Sequence, residues 1–455
     1  MTKIAERQHL FFKEGKSRDP GFRIDQLRKL KALLQQYEKE FIEALRADFA
    51  KPSFETYGTE LLILYSEIDY FTTHLKDWSR PRKVSESLLT FPSKSYVYPQ
   101  PYGVTLVIGA WNYPLQLSMS PVLGSLSAGN CAILKPSEVS TNTASLLADV
   151  INPNFDPGYL HVVQGGADTT QELLAESLDY IFYTGGLRVG KIIMQAAAEQ
   201  LTPLTLELGG KSPAIIDRTA DLELAARRIS WGKFINAGQT CVSPDYTYIH
   251  ESQAPEFCEL MKKQIDLFYG PDPAESPDFA RIINRKHFNR LKGLLDPDKI
   301  VTGGRTRAED HYIAPTVMTD ISWQDPVMQE EIFGPILPVL TYRQVDRALR
   351  AIRDHPKPLS LYLFSTDRKM QDRIIEEIPF GGGCINDTVA HLGNLDLPFG
   401  GIGNSGFGSY HGKSSFELFS HQKSVMKRST WLDIPMRYPP YGDKLKWLKK
   451  ITSYL

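Results

Sequence analysis

Between residues 24 and 49 the side chains Leu27, Leu30, Leu34, Tyr37, Phe41 and Leu45 recur every third or fourth position among Lys, Arg, Glu and Gln. That spacing predicts one amphipathic helix. A second is expected over 56–75, ended by Pro81, so the chain opens as a helical hairpin with an apolar face to bury. Residues 89–99, LTFPSKSYVYP, mix aromatic, polar and proline positions, the pattern of an exposed ribbon and not of a central strand. An arm reaching a partner subunit fits it.

Beyond residue 101 the rhythm changes. Short apolar runs at 104–108, 132–134, 160–163 and 180–183 alternate with helical patterns, which predicts a parallel, doubly wound sheet whose ligands bind at the carboxyl ends of its strands. A second set of strand and helix signals runs from 213 through 249 and on to 361–364. It follows ELGGKSP at 207–213, where a domain junction is placed. An amphipathic segment at 222–234 and an apolar run at 246–249 bracket GQTC, residues 238–241, so Cys241 is expected on a tight turn facing an inter-domain cleft. No internal repeat or low-complexity segment interrupts this order.

A chain of 455 residues, 42% of them hydrophobic, is too long for one core and predicts two or three domains. With 52 Lys and Arg against 53 Asp and Glu, nothing in the charge favours nucleic acid, and small neutral or weakly charged ligands are the default. Cys131, Cys241, Cys258 and Cys384 have no paired or metal-like spacing, which argues for a reducing compartment and against a zinc site. No secretory signal and no run of about 18 apolar residues occurs. The protein reads as cytoplasmic.

Six stretches carry candidate chemistry. The thiol of Cys241 is a candidate nucleophile if a helix N-terminus or a cation lowers its pKa; taken alone it is one more buried small residue. In GAWNYP, residues 109–114, the Asn112 amide is placed to donate to an oxyanion, or else to cap a turn. LKPSE, 134–138, offers Lys135 and Glu138 to a ribose or phosphate, or to each other as a surface ion pair. TGGLRVGK, 184–191, sets Gly185, Gly186 and Gly190 where a backbone approaches a pyrophosphate at a helix N-terminus. The GxGxxG spelling at 401–406 follows no strand and is discounted. Glu207, in TPLTLELGG, and Glu331, in EEIFGP, are carboxylates beside apolar neighbours, whose raised pKa suits a general base; taken as isolated carboxylates, both are more often plain structural acids. His391 stands near the tail's glycines as a substrate-entrance residue or a core histidine, and Tyr57, Tyr65, Tyr113 and Trp231 are candidate lining residues.

WNYP, LKPSE, YTGGLRVG, LELGGK, GQTC, EEIFGP and LPFGGIGNSGFG, in this order, resemble the aldehyde dehydrogenase superfamily over residues 101–412, and the two chain ends resemble its class 3 branch of fatty- and aromatic-aldehyde dehydrogenases. The resemblance implies an aldehyde dehydrogenase fold. This is an α/β chain with a doubly wound parallel-sheet nucleotide domain (1–82 and 101–209), a second α/β catalytic domain (210–395) and a bridging and oligomerisation arm (83–100 and 396–430), followed by a tail (431–455). It implies NAD(P)-dependent oxidation of medium- or long-chain aliphatic or aromatic aldehydes by a homodimer. Cys241 is then the nucleophile, Glu207 the acid and base, Asn112 the oxyanion donor, Lys135, Glu138 and Gly185, Gly186 and Gly190 the nucleotide site, and Glu331 and Phe333 contacts on the nicotinamide side. Class 3 members often accept either NAD or NADP. Some fatty-aldehyde members carry a C-terminal membrane helix, which the basic amphipathic ending here does not match. Acyl transfer to coenzyme A, a nicotinamide-free cysteine hydrolase and a non-catalytic binding protein on the same scaffold are the competing readings.

Overall fold

The computed structural model describes residues 3–86 and 90–452, with the side chains of 451 and 452 left aside. Leu89, the first residue of the expected ribbon, and the last three residues of the tail lie outside the described residues.

The first sheet has five parallel strands, Val104–Ile108, Cys131–Lys135, Leu160–Val162, Tyr180–Thr184 and Leu204–Glu207. The four apolar runs thus form strands in register, Ile108 opposite Lys135 and Thr184 opposite Glu207. Chain order runs outward from Val104–Ile108 in one direction and then restarts beside it at Tyr180–Thr184. Connections from these two neighbours diverge, opening a crevice at their carboxyl ends, the usual ligand position in such a sheet. Two apolar cores cover its faces. One joins the sheet to the N-terminal helices and to Gln116–Ala128, a helix buried on every side; the other sits under Leu187–Gln200. The second sheet has seven strands, including Pro213–Ile216, Tyr246–His250, Ile336–Tyr342 and Ser360–Phe364 in parallel, over its own core.

Several expectations need correction. The pattern over 24–49 is two helices, Pro20–Gln36 and Glu38–Phe49, because Tyr37 leaves helical geometry between them, and the apolar period continues across the break. A further helix, Ile4–Glu14, precedes them and is pinned by the buried Gln8, whose amide donates to the Ala132 carbonyl at 2.8 Å. Residues 93–101 are no lone ribbon: Ser93–Pro101 is the middle strand of a three-stranded antiparallel sheet between Arg82–Val84 and Ser420–Arg428. Its prolines are tolerated because Arg82–Val84 reaches only Ser95–Val97, leaving Pro99 and Pro101 paired on one side. The glycine-rich stretch of the tail is not all bridge, since Gly406–Phe407 extends the first sheet antiparallel to Leu206 and Glu207. Gly406 has φ +127 and a Cβ there would lie 2.0 Å from the Leu206 carbonyl oxygen. Among the described residues no helix is long and apolar enough to cross a membrane.

Lys51 and Glu60, both fully buried, form an ion pair at 2.5 Å where the helices meet the first sheet. Glu60 also accepts from the Leu115 and Gln116 N–H groups, at 2.9 and 3.1 Å, and the Lys51 ammonium lies 3.9 Å from the centre of the Tyr113 ring. The pair therefore anchors the loop that follows Val104–Ile108. Glu60→Gln is expected to cost about 3–5 kcal/mol, the range for leaving one buried charge unpaired, read as a lower midpoint in urea unfolding; an unchanged midpoint would show that the pair contributes nothing net.

Candidate active site

The turn bearing Cys241 is an unusual piece of backbone. After the helix Leu222–Phe234, Asn236, Ala237 and Gly238 adopt φ of +56, +52 and +72 in succession. Side-chain amides hold this run. Asn236 Nδ2 donates to the carbonyls of Asn112 (2.9 Å) and Gln239 (3.1 Å), and its backbone N–H donates to Glu55. Gln239 Nε2 donates to the Asn236 and Arg281 carbonyls while its Oε1 accepts from Ile283 N–H. Gly238 is required for space as well as for φ, because a Cβ would meet the Gly334 carbonyl oxygen at 2.3 Å. Residues 330–335 thus dock directly on GQTC.

The same segment docks on LELGGK. A Cβ on Gly209 would sit 1.9 Å from Glu331 Oε2, so that glycine admits the Glu331 carboxylate. Lys211 clasps the approach, donating to Asp245 Oδ2 and to the carbonyls of Val327 and Glu330. Phe333, at φ +52, packs edge-on against Trp111 with ring centres 5.3 Å apart.

Cys241 faces two cavities. One, of about 640 Å³, lies at the crevice of the first sheet and is lined by Asn112, Lys135, Glu138, Gly185, Gly186, Glu207, Glu331 and Phe333 as well as Cys241. The other, of about 370 Å³, continues beyond Cys241 between the helices and the tail. It is lined by Tyr113 and Trp231 but not by Tyr57 or Tyr65, and none of its lining side chains is an Asp, Glu, Lys or Arg. Gly190 is away from both: it lies inside the helix Leu187–Gln200, where a Cβ would press to 2.9 Å on Leu208, so its service is close helix packing. His391 also lines neither and is a largely enclosed histidine, 3.4 Å from Cys384 Sγ and 3.5 Å from Ser360 Oγ.

Lys135 and Glu207 are the last residues of their strands. Lys135 pairs with Glu138 at 2.5 Å, yet Lys135 is buried and Glu138 half-exposed, so the pair borders the larger cavity instead of decorating the surface. The helix Leu187–Gln200 starts after Gly186 with no side-chain cap, leaving its first amides toward the cavity. Asn112 donates one amide hydrogen to the Gln239 carbonyl at 3.0 Å, which sets its orientation and leaves the second for the cavity it lines. It ties the two stretches together across the chain instead of capping a local turn.

The condition that would lower the Cys241 pKa is not met. No helix begins at Cys241, and burial first, with Glu331 and Glu207 behind it, pushes the thiol up to about 12; the N–H groups of Cys241 and Val242 act in the opposite sense. Burial raises Glu207 well above the usual carboxylate range, and neither of its oxygens has a hydrogen-bond partner. Glu331 is pushed up to about 8 by burial and then by Asp245, against the Gly210 N–H, Lys211 and Arg290. Burial thus raises all three acids, and the charges of the two carboxylates further oppose ionisation of the thiol.

Sequence reasoning did not single out His287, Arg290, Phe399, Tyr410 and His411, which also line these cavities. Each reaches the site from an element distant in the chain; Phe399 lies within LPFGGIGNSGFG, and no quoted motif contains the other four.

The model of the aldehyde dehydrogenase family matches residues 3–425. The 4,4'-diaponeurosporen-aldehyde dehydrogenase of Staphylococcus aureus is 47% identical over 441 residues, covering 96% of each chain. A dimeric NADP-preferring aldehyde dehydrogenase of Canis lupus familiaris is 44% identical over 447 residues, covering 98% of this chain and 99% of that one. A solved structure described as the substrate-bound state of Staphylococcus aureus AldH superimposes with a TM-score of 0.97 at 45% identity, over 99% of this chain and 100% of that one. A thiol between a nucleotide-sized crevice and an apolar cavity, on this backbone and with these relatives, places the chain in the aldehyde dehydrogenase family.

Proposed function

We propose that the protein oxidises an aliphatic or aromatic aldehyde to its carboxylic acid with NAD or NADP, and that Cys241 is the nucleophile. The observation that carries this is the position of its sulfur, on the wall of both the crevice bearing Gly185 and Gly186 and the uncharged cavity beyond. The crevice fits a dinucleotide: uncapped amides at the start of Leu187–Gln200 suit a pyrophosphate, the Lys135–Glu138 pair suits a ribose, and Glu331 and Phe333 border the end near Cys241. Bound there, the cofactor supplies the two-electron acceptor for the hydride released from the aldehyde carbon.

Sγ of Cys241 adds to that carbon as its proton passes to a carboxylate, and the carbonyl electrons move onto oxygen. The free Asn112 N–H steadies the resulting oxyanion, an interaction whose loss typically costs about 10²–10³ in rate. Loss of hydride leaves a thioester on Cys241. Glu207, its two oxygens free of protein partners, then takes a proton from the water that attacks the acyl carbon, and the C–S bond breaks to return the thiol. The carboxylate of Glu331, pushed up to about 8 chiefly by burial, is the second candidate for that proton. The protein acts as a homodimer in the cytoplasm; its free cysteines and the dimeric relative support this.

Purified protein with hexanal and NAD or NADP is expected to give the absorbance of reduced nicotinamide; no signal with any of several aldehydes removes the oxidoreductase reading. Cys241→Ala abolishes that signal while leaving nucleotide affinity nearly unchanged, as read by calorimetry; retained turnover removes the nucleophile assignment. Glu207→Gln slows turnover sharply with acyl-enzyme visible by mass spectrometry. Normal turnover there, with loss in Glu331→Gln, moves the water's proton to Glu331. A thiol pushed up to about 12 is almost wholly protonated near neutrality. Iodoacetamide labelling of Cys241 in the free protein is therefore expected to rise about tenfold per pH unit through neutrality with no plateau, and a plateau near pH 7 would show a stabilised thiolate.

A further inference from the structure

His411 is the least accounted-for side chain near the reaction centre. It is 4% exposed, and neither Nδ1 nor Nε2 has a hydrogen-bond partner. Its backbone stands at φ +76, a conformation that costs a non-glycine residue energy and persists where the surroundings impose it. Those surroundings are visible. The ring stacks on Phe399 with centres 5.3 Å apart and lies T-shaped to Tyr410 at 4.5 Å, so aromatic neighbours hold the ring while its two nitrogens are left unsatisfied. Burial lowers its pKa to about 4, and the imidazole is neutral, with one donor and one acceptor. His411 lines the uncharged cavity that also reaches Cys241. A buried donor and acceptor without partners calls for a ligand that satisfies them.

We infer that His411 is a recognition point for a hydroxyl group carried on the aldehyde substrate, away from the reacting carbonyl. A hydroxyl both donates and accepts, the complement of a neutral imidazole edge. A carboxylate or phosphate is disfavoured, because no cationic side chain lines the cavity to offset its desolvation. Leu62, Ile63, Leu117 and Trp231 on the other walls suit the chain that links hydroxyl to aldehyde, and the polar groups beside them, on Thr59, Ser66, Tyr113, Gln116 and Thr240, already bond within the protein. Elsewhere in such a cavity a hydroxyl loses its water without recompense, so its tolerance is confined to chains whose length brings it to His411. The inference rests on the aldehyde-oxidising reading above and deepens it to a substrate class, hydroxyaldehydes.

The test compares ω-hydroxyaldehydes with the unsubstituted aldehydes of the same length, from heptanal to decanal, as the ratio of their kcat/KM in one enzyme preparation, so that general losses cancel. The ratio is expected to peak at one or two adjacent lengths, and in His411→Phe that peak falls by about tenfold, the upper range for one hydrogen bond. His411→Asn, which keeps a donor and an acceptor and tolerates a left-handed backbone, retains part of it. A ratio that favours the unsubstituted aldehyde at every length, or a peak unmoved in His411→Phe, overturns the inference. Thermal shift of the cofactor-free protein by alkanediols against alkanols of equal length supplies a reading without turnover. A diol-selective shift lost in His411→Phe supports the subsite even if no aldehyde is oxidised, whereas equal shifts in both proteins count against it.

Discussion

The site depends on a backbone that no local preference would choose. Asn236 and Ala237 in left-handed geometry each cost on the order of 1–3 kcal/mol, and the expense is met by two buried amides, Asn236 and Gln239, that find acceptors and a donor on Asn112, Arg281 and Ile283. Those partners come from both halves of the chain. The turn therefore exists only when both sheets are assembled, and Cys241 is delivered to the junction of two cavities by the same bonds that join them. GQTC is a geometric device before it is a chemical one: Gly238 yields to the Gly334 carbonyl, Gln239 knots three segments, Thr240 meets the Tyr113 hydroxyl at 2.8 Å, and only then comes the thiol.

That delivery places a sulfur among carboxylates. Gly209 admits Glu331, and the end of Leu204–Glu207 brings Glu207 alongside, so the turn's surroundings raise every acid in the group. A proton lost from either carboxylate makes the one on the sulfur harder to remove. The arrangement suits chemistry in which a proton must leave the sulfur and another must leave water without free charge accumulating. Lys211 and Arg290 temper Glu331 from one side, and no comparable cation acts on Glu207.

Much of the fold was legible because parallel strands buried on both faces read as short unbroken apolar runs, and 104–108 and 180–183 are such runs. Tyr37 was not legible, since the apolar period persists through the break between its two helices. The middle position of Ser93–Pro101 was hidden by prolines whose tolerance depends on how far a neighbouring strand extends. Within the site, residue types at motif spacing marked Cys241, Asn112, Lys135 and Glu207. The direction of the thiol's shift is not legible in sequence because it is set first by burial and then by Glu331 and Glu207, which are remote in the chain. Gly190 shares a motif with Gly185 but one further helical turn carries it from the cavity to a packing contact with Leu208. His411 has no signature in sequence at all.

The short pairing of Gly406 and Phe407 with Glu207 and Leu206 has a temporal side. During synthesis the outer edge of the first sheet emerges early, and the segment that covers it is translated only after the whole second sheet. For that interval Leu204–Glu207 presents bare amides and carbonyls along its free side, a surface that invites pairing with other chains. The carboxylate at its end is sealed into its final environment among the last events of assembly. A ribosome-bound chain ending just short of the tail would accordingly hold a nearly finished scaffold whose reactive corner is still open.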